Sequence, residues 1–179
     1  MPSTLKSKIL ESLEITTSAE RGFLAQTIAE QQLPMDDVLE ILEMEQPQSM
    51  RFSWMLGHIC QFDPSYAQPF LRYCFPRRNE LKITGFDRTI ARLCMFCERA
   101  LPPELEGEIV SQLFEWLADP KAAVATKHYS VSALGYACAN YPELRPELEE
   151  VIADQIKICS RAFKHRAMRV LADLDKGKL

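Results

Sequence analysis

The stretches GHICQFDP, residues 57–64, and GYACANYP, residues 135–142, decide the predicted fold of this chain. Both place a glycine first, a cysteine fourth and a proline last. Pro103 lies midway, so Pro64, Pro103 and Pro142 are 39 residues apart, twice over, and each opens a helix-like run that follows another. A period of roughly 40 residues is typical of the two-helix HEAT or armadillo unit. One such hairpin cannot bury its apolar faces alone, so neighbouring hairpins are expected to stack.

Other positions follow the same period. Leu56, Met95 and Leu134 share one column, whereas Phe96 and Arg99 replace the glycine and cysteine in a degenerate middle copy. The pattern predicts an all-α protein, a right-handed α-α superhelix (a HEAT/armadillo-like solenoid) of about ten helices. It also predicts a single helical-repeat domain over 1–179, in which 1–46 form N-terminal capping helices, 47–160 form three two-helix repeats of about 39 residues, and 161–179 form a C-terminal capping helix and tail.

Apolar periodicity and capping residues set the predicted helix limits. A capping box, Thr17-x-x-Glu20, starts the second helix, and Asp63-Pro64 and Asp119-Pro120 each place an N-cap acid before a proline at the first helical position. The predicted helices cover 3–13, 17–32, 34–44, 49–61, 64–75, 87–100, 103–118, 120–140, 142–159 and 161–174. The irregular stretch 76–86 carries Arg77, Arg78 and Lys82, and it is either a binding element or a solvated insertion.

Composition excludes several classes. The 179 residues carry a net charge of −4, which argues against a dedicated nucleic-acid binder on bulk charge. No run of 18 or more apolar residues occurs, and the N-terminus lacks a continuous signal-peptide core. We therefore expect a cytoplasmic protein without a membrane segment. The six cysteines are expected to be reduced thiols that pack as small hydrophobes.

Motifs for catalysis or metal binding are weak. Cys94 and Cys97 form a CxxC, but both fall in mid-helix on an apolar face, so core packing is favoured over a redox or metal role. No second CxxC or HxxxH completes a zinc site, and the sequence holds no GxSxG, Walker A, GxGxxG or HExxH motif. We assign no catalytic residue, metal or cofactor. Trp54 and Trp116 are interpreted as core or half-core side chains.

Charge separates the two helices of each repeat. The first helices and the last helix are rich in arginine and lysine, whereas the second helices are rich in glutamate. A two-layer solenoid would place these charges on opposite surfaces, and a basic layer attracts an acidic protein segment or a phosphate backbone. The alternative is plain solubility, with acids favoured near helix N-termini. The candidate binding residues are Arg88, Arg92, Lys127, His128, Lys164, His165 and Arg169.

Two histidines occupy matching repeat positions. His128 and His165 each follow a lysine, Lys127 and Lys164. Matching positions in stacked repeats can line one surface, which would form a ligand-facing ridge, or they can reflect a shared packing need.

A family resemblance covers residues 51–174. It rests on Trp54-Met55-Leu56 with Cys60, DRTIAR at 87–92, LADPKAAVA at 117–125, YSVSAL at 129–134 and FKHRAMRVL at 163–171. The chain resembles short, uncharacterised HEAT-like proteins of Bacteroidota, some of which carry the label adenylosuccinate lyase. The resemblance implies an armadillo-like helical fold. It implies no catalytic residue, because the lyase superfamily's signature loop, similar to GSSxMPxKxNP, is absent here.

These observations favour a non-catalytic protein–protein interaction module or scaffold whose basic layer holds an acidic or extended partner segment. The alternative is a nucleic-acid-binding or DNA-repair HEAT-like protein, in which Trp54 or Trp116 would stack on a base. A lyase activity is disfavoured. The identity of the partner and the oligomeric state stay open.

Overall fold

The computed structural model describes residues 4–15 and 18–179 of the chain, and this part is all-helical. It contains ten α-helices, two 3₁₀ segments, Pro64–Tyr66 and Pro142–Leu144, and no strand. The α-helices are α1 (Thr4–Ile15), α2 (Ser18–Gln31), α3 (Met35–Leu42), α4 (Gln48–Phe62), α5 (Ala67–Cys74), α6 (Phe86–Cys97), α7 (Glu106–Ala118), α8 (Val124–Asn140), α9 (Arg145–Ile158) and α10 (Arg161–Asp175). The all-α prediction is confirmed.

Two of the three repeat prolines begin helical segments as expected. Asp63 Oδ1 accepts a hydrogen bond from Ser65 N at 3.0 Å, so this residue caps the segment that Pro64 opens. In both Pro64–Tyr66 and Pro142–Leu144 the first turn is a 3₁₀ turn, and the α-helix follows. Thr17 of the predicted capping box lies outside the described residues.

Three predicted helix limits are wrong. Helix α8 begins at Val124 rather than at 120, because Asp119 Oδ1 accepts from Lys121 N at 2.8 Å and so caps a turn that ends before the helix. Helix α7 begins at Glu106 rather than at 103, after a turn in which Leu105 N donates to Pro102 O. Helix α6 ends at Cys97 rather than at 100, because Glu98 adopts a left-handed φ of 50°.

The chain divides into two compact units, Met1–Thr89 and Ile90–Leu179. In the first unit α4 is the central helix, against which α1, α2, α3 and α5 pack. Its Phe52, Leu56 and Ile59 are fully buried, which makes this helix the core of the unit. The prediction of one domain with three repeats stays a prediction.

In the second unit α7 packs against α8 and α9, and α10 packs against α8 and α9. Gly135 on α8 permits the close approach of α10, since a Cβ atom there would lie 2.6 Å from Val170 Cγ1. Leu113, Leu134 and Phe163 are fully buried between these helices. The close contact of α8 with α10 determines where the side chains of α10 emerge.

The connection between α5 and α6 is held by its own basic residues. Arg77 Nη1 donates to Glu43 Oε1 at 2.6 Å, and its guanidinium lies 4.5 Å from the Tyr73 ring centroid. Arg78 Nη1 donates to Phe75 O at 2.8 Å, and the Lys82 carbonyl accepts from Gln46 Nε2 at 3.0 Å. These contacts fasten the connection to the first unit.

The six cysteines are free thiols, as expected, and all but Cys159 are buried. Cys94 and Cys97 lie on the buried face of α6, so the core-packing interpretation of the CxxC holds. Among residues 4–15 and 18–179, no helix is both long and apolar enough to cross a lipid bilayer. The same residues contain no group of three or more histidine, cysteine or acidic side chains that could hold a metal ion.

Candidate functional site

Arginines of α10 and a histidine of α8 line one groove in the second unit. The groove has a volume of about 550 Å³, and we call it the basic groove. Its lining residues are His128, Arg161, Ala162, His165, Arg166 and Arg169. Arg161, His165 and Arg169 are spaced by four residues, which places them on one face of α10. Of the seven predicted binding residues, the groove therefore brings together three: His128, His165 and Arg169.

The orientation of α10 follows from its own sequence. Ser160 caps the helix, since its Oγ accepts a hydrogen bond from Phe163 N at 3.3 Å. Phe163, Ala167 and Val170 face the core at spacings of four and three residues. The opposite, cationic face of the helix is therefore turned outward.

Arg166 is held in place between helices. Its Nε donates to Ser132 Oγ at 2.7 Å, and that hydroxyl in turn donates to the His128 carbonyl at 2.8 Å. Its Nη2 lies 3.9 Å from Met95 Sδ. Two helix contacts thus fix a guanidinium at the edge of the groove before any ligand binds, which lowers the ordering cost of binding.

Arg161 and Arg166 were not among the seven predicted site residues. Their signal was present in the sequence, because both are cations of a helix that is basic over most of its length. The hydrogen bond from Arg166 to Ser132 joins residues 34 positions apart, so only the tertiary structure reveals it.

His128 is half-buried at the wall of the groove. Burial, and then the positive charge of Arg166, lower the pKa of His128 below its ordinary value of 6.5. Its ring also lies edge-on to Tyr129, with centroids 5.8 Å apart. At neutral pH this imidazole is therefore neutral and offers a hydrogen bond rather than a charge.

The shifted pKa of His128 makes the stability of the fold depend on pH. Unfolding restores the ordinary pKa near 6.5, so below that pH the unfolded chain binds a proton at His128 more readily than the folded chain does. We expect the free energy of unfolding to fall as the pH drops from about 6.5 through the lower folded-state pKa. His128→Gln should lose less stability than the wild type between about pH 7.5 and 5.5, as measured by urea unfolding. An equal loss in both proteins would contradict this assignment.

Arg92 lies beside the groove rather than in it. Its guanidinium is 5.7 Å from the Phe96 ring centroid and 5.8 Å from that of Tyr129. This contact joins α6 to the residue next to His128. Arg88 belongs to the first unit, where its guanidinium lies 5.2 Å from the Trp54 ring.

The prediction that Lys127 belongs to an exposed basic surface is wrong. Its side chain is 2% exposed, and its Nζ donates to Gln155 Oε1 and lies 3.9 Å from Cys159 Sγ. Lys127 is four residues before Val131 and seven before Leu134, both fully buried, so it shares their inward face of α8. The matching Lys164 on α10 is exposed but does not line the groove.

No family model matches the chain, and neither a curated protein nor a solved structure is detectably similar to it.

Proposed function

We propose that the chain is a non-catalytic interaction module whose basic groove binds an acidic, extended segment of a partner protein. The convergence of Arg161, Arg166 and Arg169 in one groove is the observation that supports this proposal. Guanidinium groups pair with carboxylates in a planar, two-point geometry, which suits aspartate- or glutamate-rich peptides.

The charge of the groove is available to a ligand. Among the described residues no carboxylate lies within salt-bridge distance of Arg161 or Arg166, and Arg169 makes only a 3.7 Å contact with Asp173 while 66% of its side chain is exposed. A contact at that distance with an exposed guanidinium is worth little, so a ligand carboxylate competes with it easily.

We further propose that the helices stack as HEAT-like repeats. Two contacts support this. Helix α7 packs on α9, and both are predicted second helices of a repeat; α8 packs on α10, which joins a predicted first helix to the C-terminal capping helix. Repeats of this kind present long surfaces suited to extended peptides.

An acidic protein segment is favoured over nucleic acid for two reasons. The whole chain is acidic, with a net charge of −4, so a long polyanion would be repelled beyond the groove. The tryptophans offered as base-stacking platforms are both half-buried, and one face of Trp54 is taken by Arg88. A nucleic-acid ligand remains the second candidate, since arginines pair with phosphates equally well.

Reversal of two exposed charges tests the proposal. We expect Arg161→Glu with Arg169→Glu to weaken binding of a fluorescein-labelled glutamate-rich peptide by about tenfold, since each exposed charge contact is worth roughly 0.2–1 kcal/mol and reversal adds repulsion. Fluorescence anisotropy at about 0.15 M salt measures the affinity. The matched control is Arg99→Glu with Lys121→Glu, two exposed cations of the same unit outside the groove.

The outcomes separate the candidates. Weak binding only in the groove variant supports the proposal. Equal weakening in the control variant shows that bulk charge, rather than the groove, attracts the peptide. Tighter binding of a single-stranded oligonucleotide than of the peptide, with a steep loss of affinity as salt rises, would favour the nucleic-acid function instead.

A further inference from the structure

A second groove of the same unit has the opposite charge. It lies between α7 and α9 and has a volume of about 700 Å³, and we call it the acidic groove. The apolar lining residues are Val110, Phe114, Ala118, Leu144 and Val151, together with the ring of Tyr141. For comparison, small-molecule pockets run from about 300 to 1,000 Å³.

Four glutamates form the charged part of this lining, and no lysine or arginine is among the lining residues. Glu106 and Glu115 belong to α7, whereas Glu143 and Glu147 lie on the opposite wall. Within residues 4–15 and 18–179 none of the four forms a salt bridge; the nearby Arg145 pairs with Glu149 and Asp175 instead. The groove therefore presents four carboxylates without a compensating cation.

The arrangement is not accounted for by helix capping alone. Acids in the first turn of a helix are favoured by the macrodipole, which explains Glu106 on α7 and Glu147 on α9. Glu115 lies in the third turn of α7, where that effect has faded. Within the described part of the chain its carboxylate accepts one side-chain hydrogen bond, from the neutral amide of Gln112, whose Nε2 lies 2.8 Å away.

We propose that the acidic groove binds a cationic amphipathic helix of a partner protein. Such a helix lays apolar residues spaced by three and four positions into an apolar groove. Lysines or arginines flanking its apolar stripe would meet a carboxylate on either wall, which satisfies the charge that the chain itself leaves open. The 13 residues of α7 form a wall roughly 20 Å long at 1.5 Å per residue, so about four turns of partner helix fit along it.

The apolar surface continues beyond the groove in the same direction. Ile158 follows Val151 by seven residues on α9, a spacing that returns to the same face of a helix, and 65% of its side chain is exposed. A partner helix longer than the groove would cover this isoleucine as well.

The test uses the full chain and a labelled synthetic helix with leucines at the heptad seam and lysines on both sides. We expect Glu115→Lys with Glu147→Lys to weaken its binding by about tenfold. The matched control is Glu108→Lys with Glu150→Lys, which makes the same change of charge on exposed residues of the same two helices outside the groove. A peptide of identical composition but scrambled order reports binding that needs charge alone.

A selective loss in the groove variant, together with weak binding of the scrambled peptide, supports the proposal. Equal losses in the two variants, or equal binding of the two peptides, would overturn it, because either result reduces the site to nonspecific attraction. Sedimentation velocity of the wild type tests whether a second copy of the chain occupies the groove instead. If the chain forms oligomers that Glu115→Lys with Glu147→Lys dissociates, a second copy fills the groove and the partner-helix proposal fails.

Discussion

Phe163→Ala is expected to lower the free energy of unfolding by about 3–5 kcal/mol. Phe163 is fully buried on α10, in the first turn after the Ser160 cap. Truncation to alanine removes a large apolar side chain from the contact of α10 with the rest of the second unit and leaves a cavity that the neighbouring helices cannot fully close. Urea unfolding followed by circular dichroism measures the loss.

The same substitution should also disable the basic groove. Helix α10 carries Arg161, His165, Arg166 and Arg169, so a poorly seated α10 disperses most of the cations that the groove collects. The matched control is Met168→Ala on the same helix, where 49% of the side chain is exposed and the expected change is about 0.5 kcal/mol or less. A comparable loss for both variants would mean that the buried Phe163 contributes no more to the stability of the fold than an exposed side chain of the same helix does.

Gln155→Leu is expected to destabilise the fold by about 1.5–3 kcal/mol, because it removes the oxygen that accepts a hydrogen bond from the buried Lys127 ammonium. Gln155 is itself buried, and its Nε2 also donates to the Ala118 carbonyl at 3.1 Å, so the amide links α7, α8 and α9. A charged donor left without that acceptor keeps the full cost of its desolvation.

A double-mutant cycle with Lys127→Met separates the charge from the packing. Methionine keeps a similar length without a charge, and replacement of a buried charge by a well-packed apolar group is often neutral or stabilising. In the Lys127→Met background, Gln155→Leu should therefore cost much less than in the wild type, which the coupling energy from urea unfolding records. If the cost is the same in both backgrounds, the amide acts through Ala118 alone.

Local pattern was sufficient to predict helix number and much of the surface charge. Apolar residues repeating every three to four positions predict helices whatever their neighbours are, since the period is a property of the helix itself. The cationic face of α10 was predictable in the same way, because its buried face is marked by Phe163, Ala167 and Val170. Asp63 caps its segment as its type and position predict, since a cap acts within one turn of chain.

Helix limits were less predictable, because an aspartate side chain can cap either a turn or the first turn of a helix. Asp119 followed by proline predicts a helix start, yet its carboxylate caps a turn and α8 begins four residues after the proline. Both arrangements satisfy the same oxygen, so the residue type and its position before a proline do not distinguish them.

Lys127 and Lys164 show where residue type and position were not enough. Both precede a histidine at matching positions of the repeat, and both were predicted to face a partner. One is buried on Gln155, 28 positions along the chain, and the other is exposed. The sequence alone determined that α8 and α10 are helices and that α10 has a cationic face opposite its apolar face, because both follow from the spacing of residues within a few turns. The tertiary structure decided which cations share a groove and which lysine is buried, because those outcomes depend on side chains that approach one another only when distant helices pack.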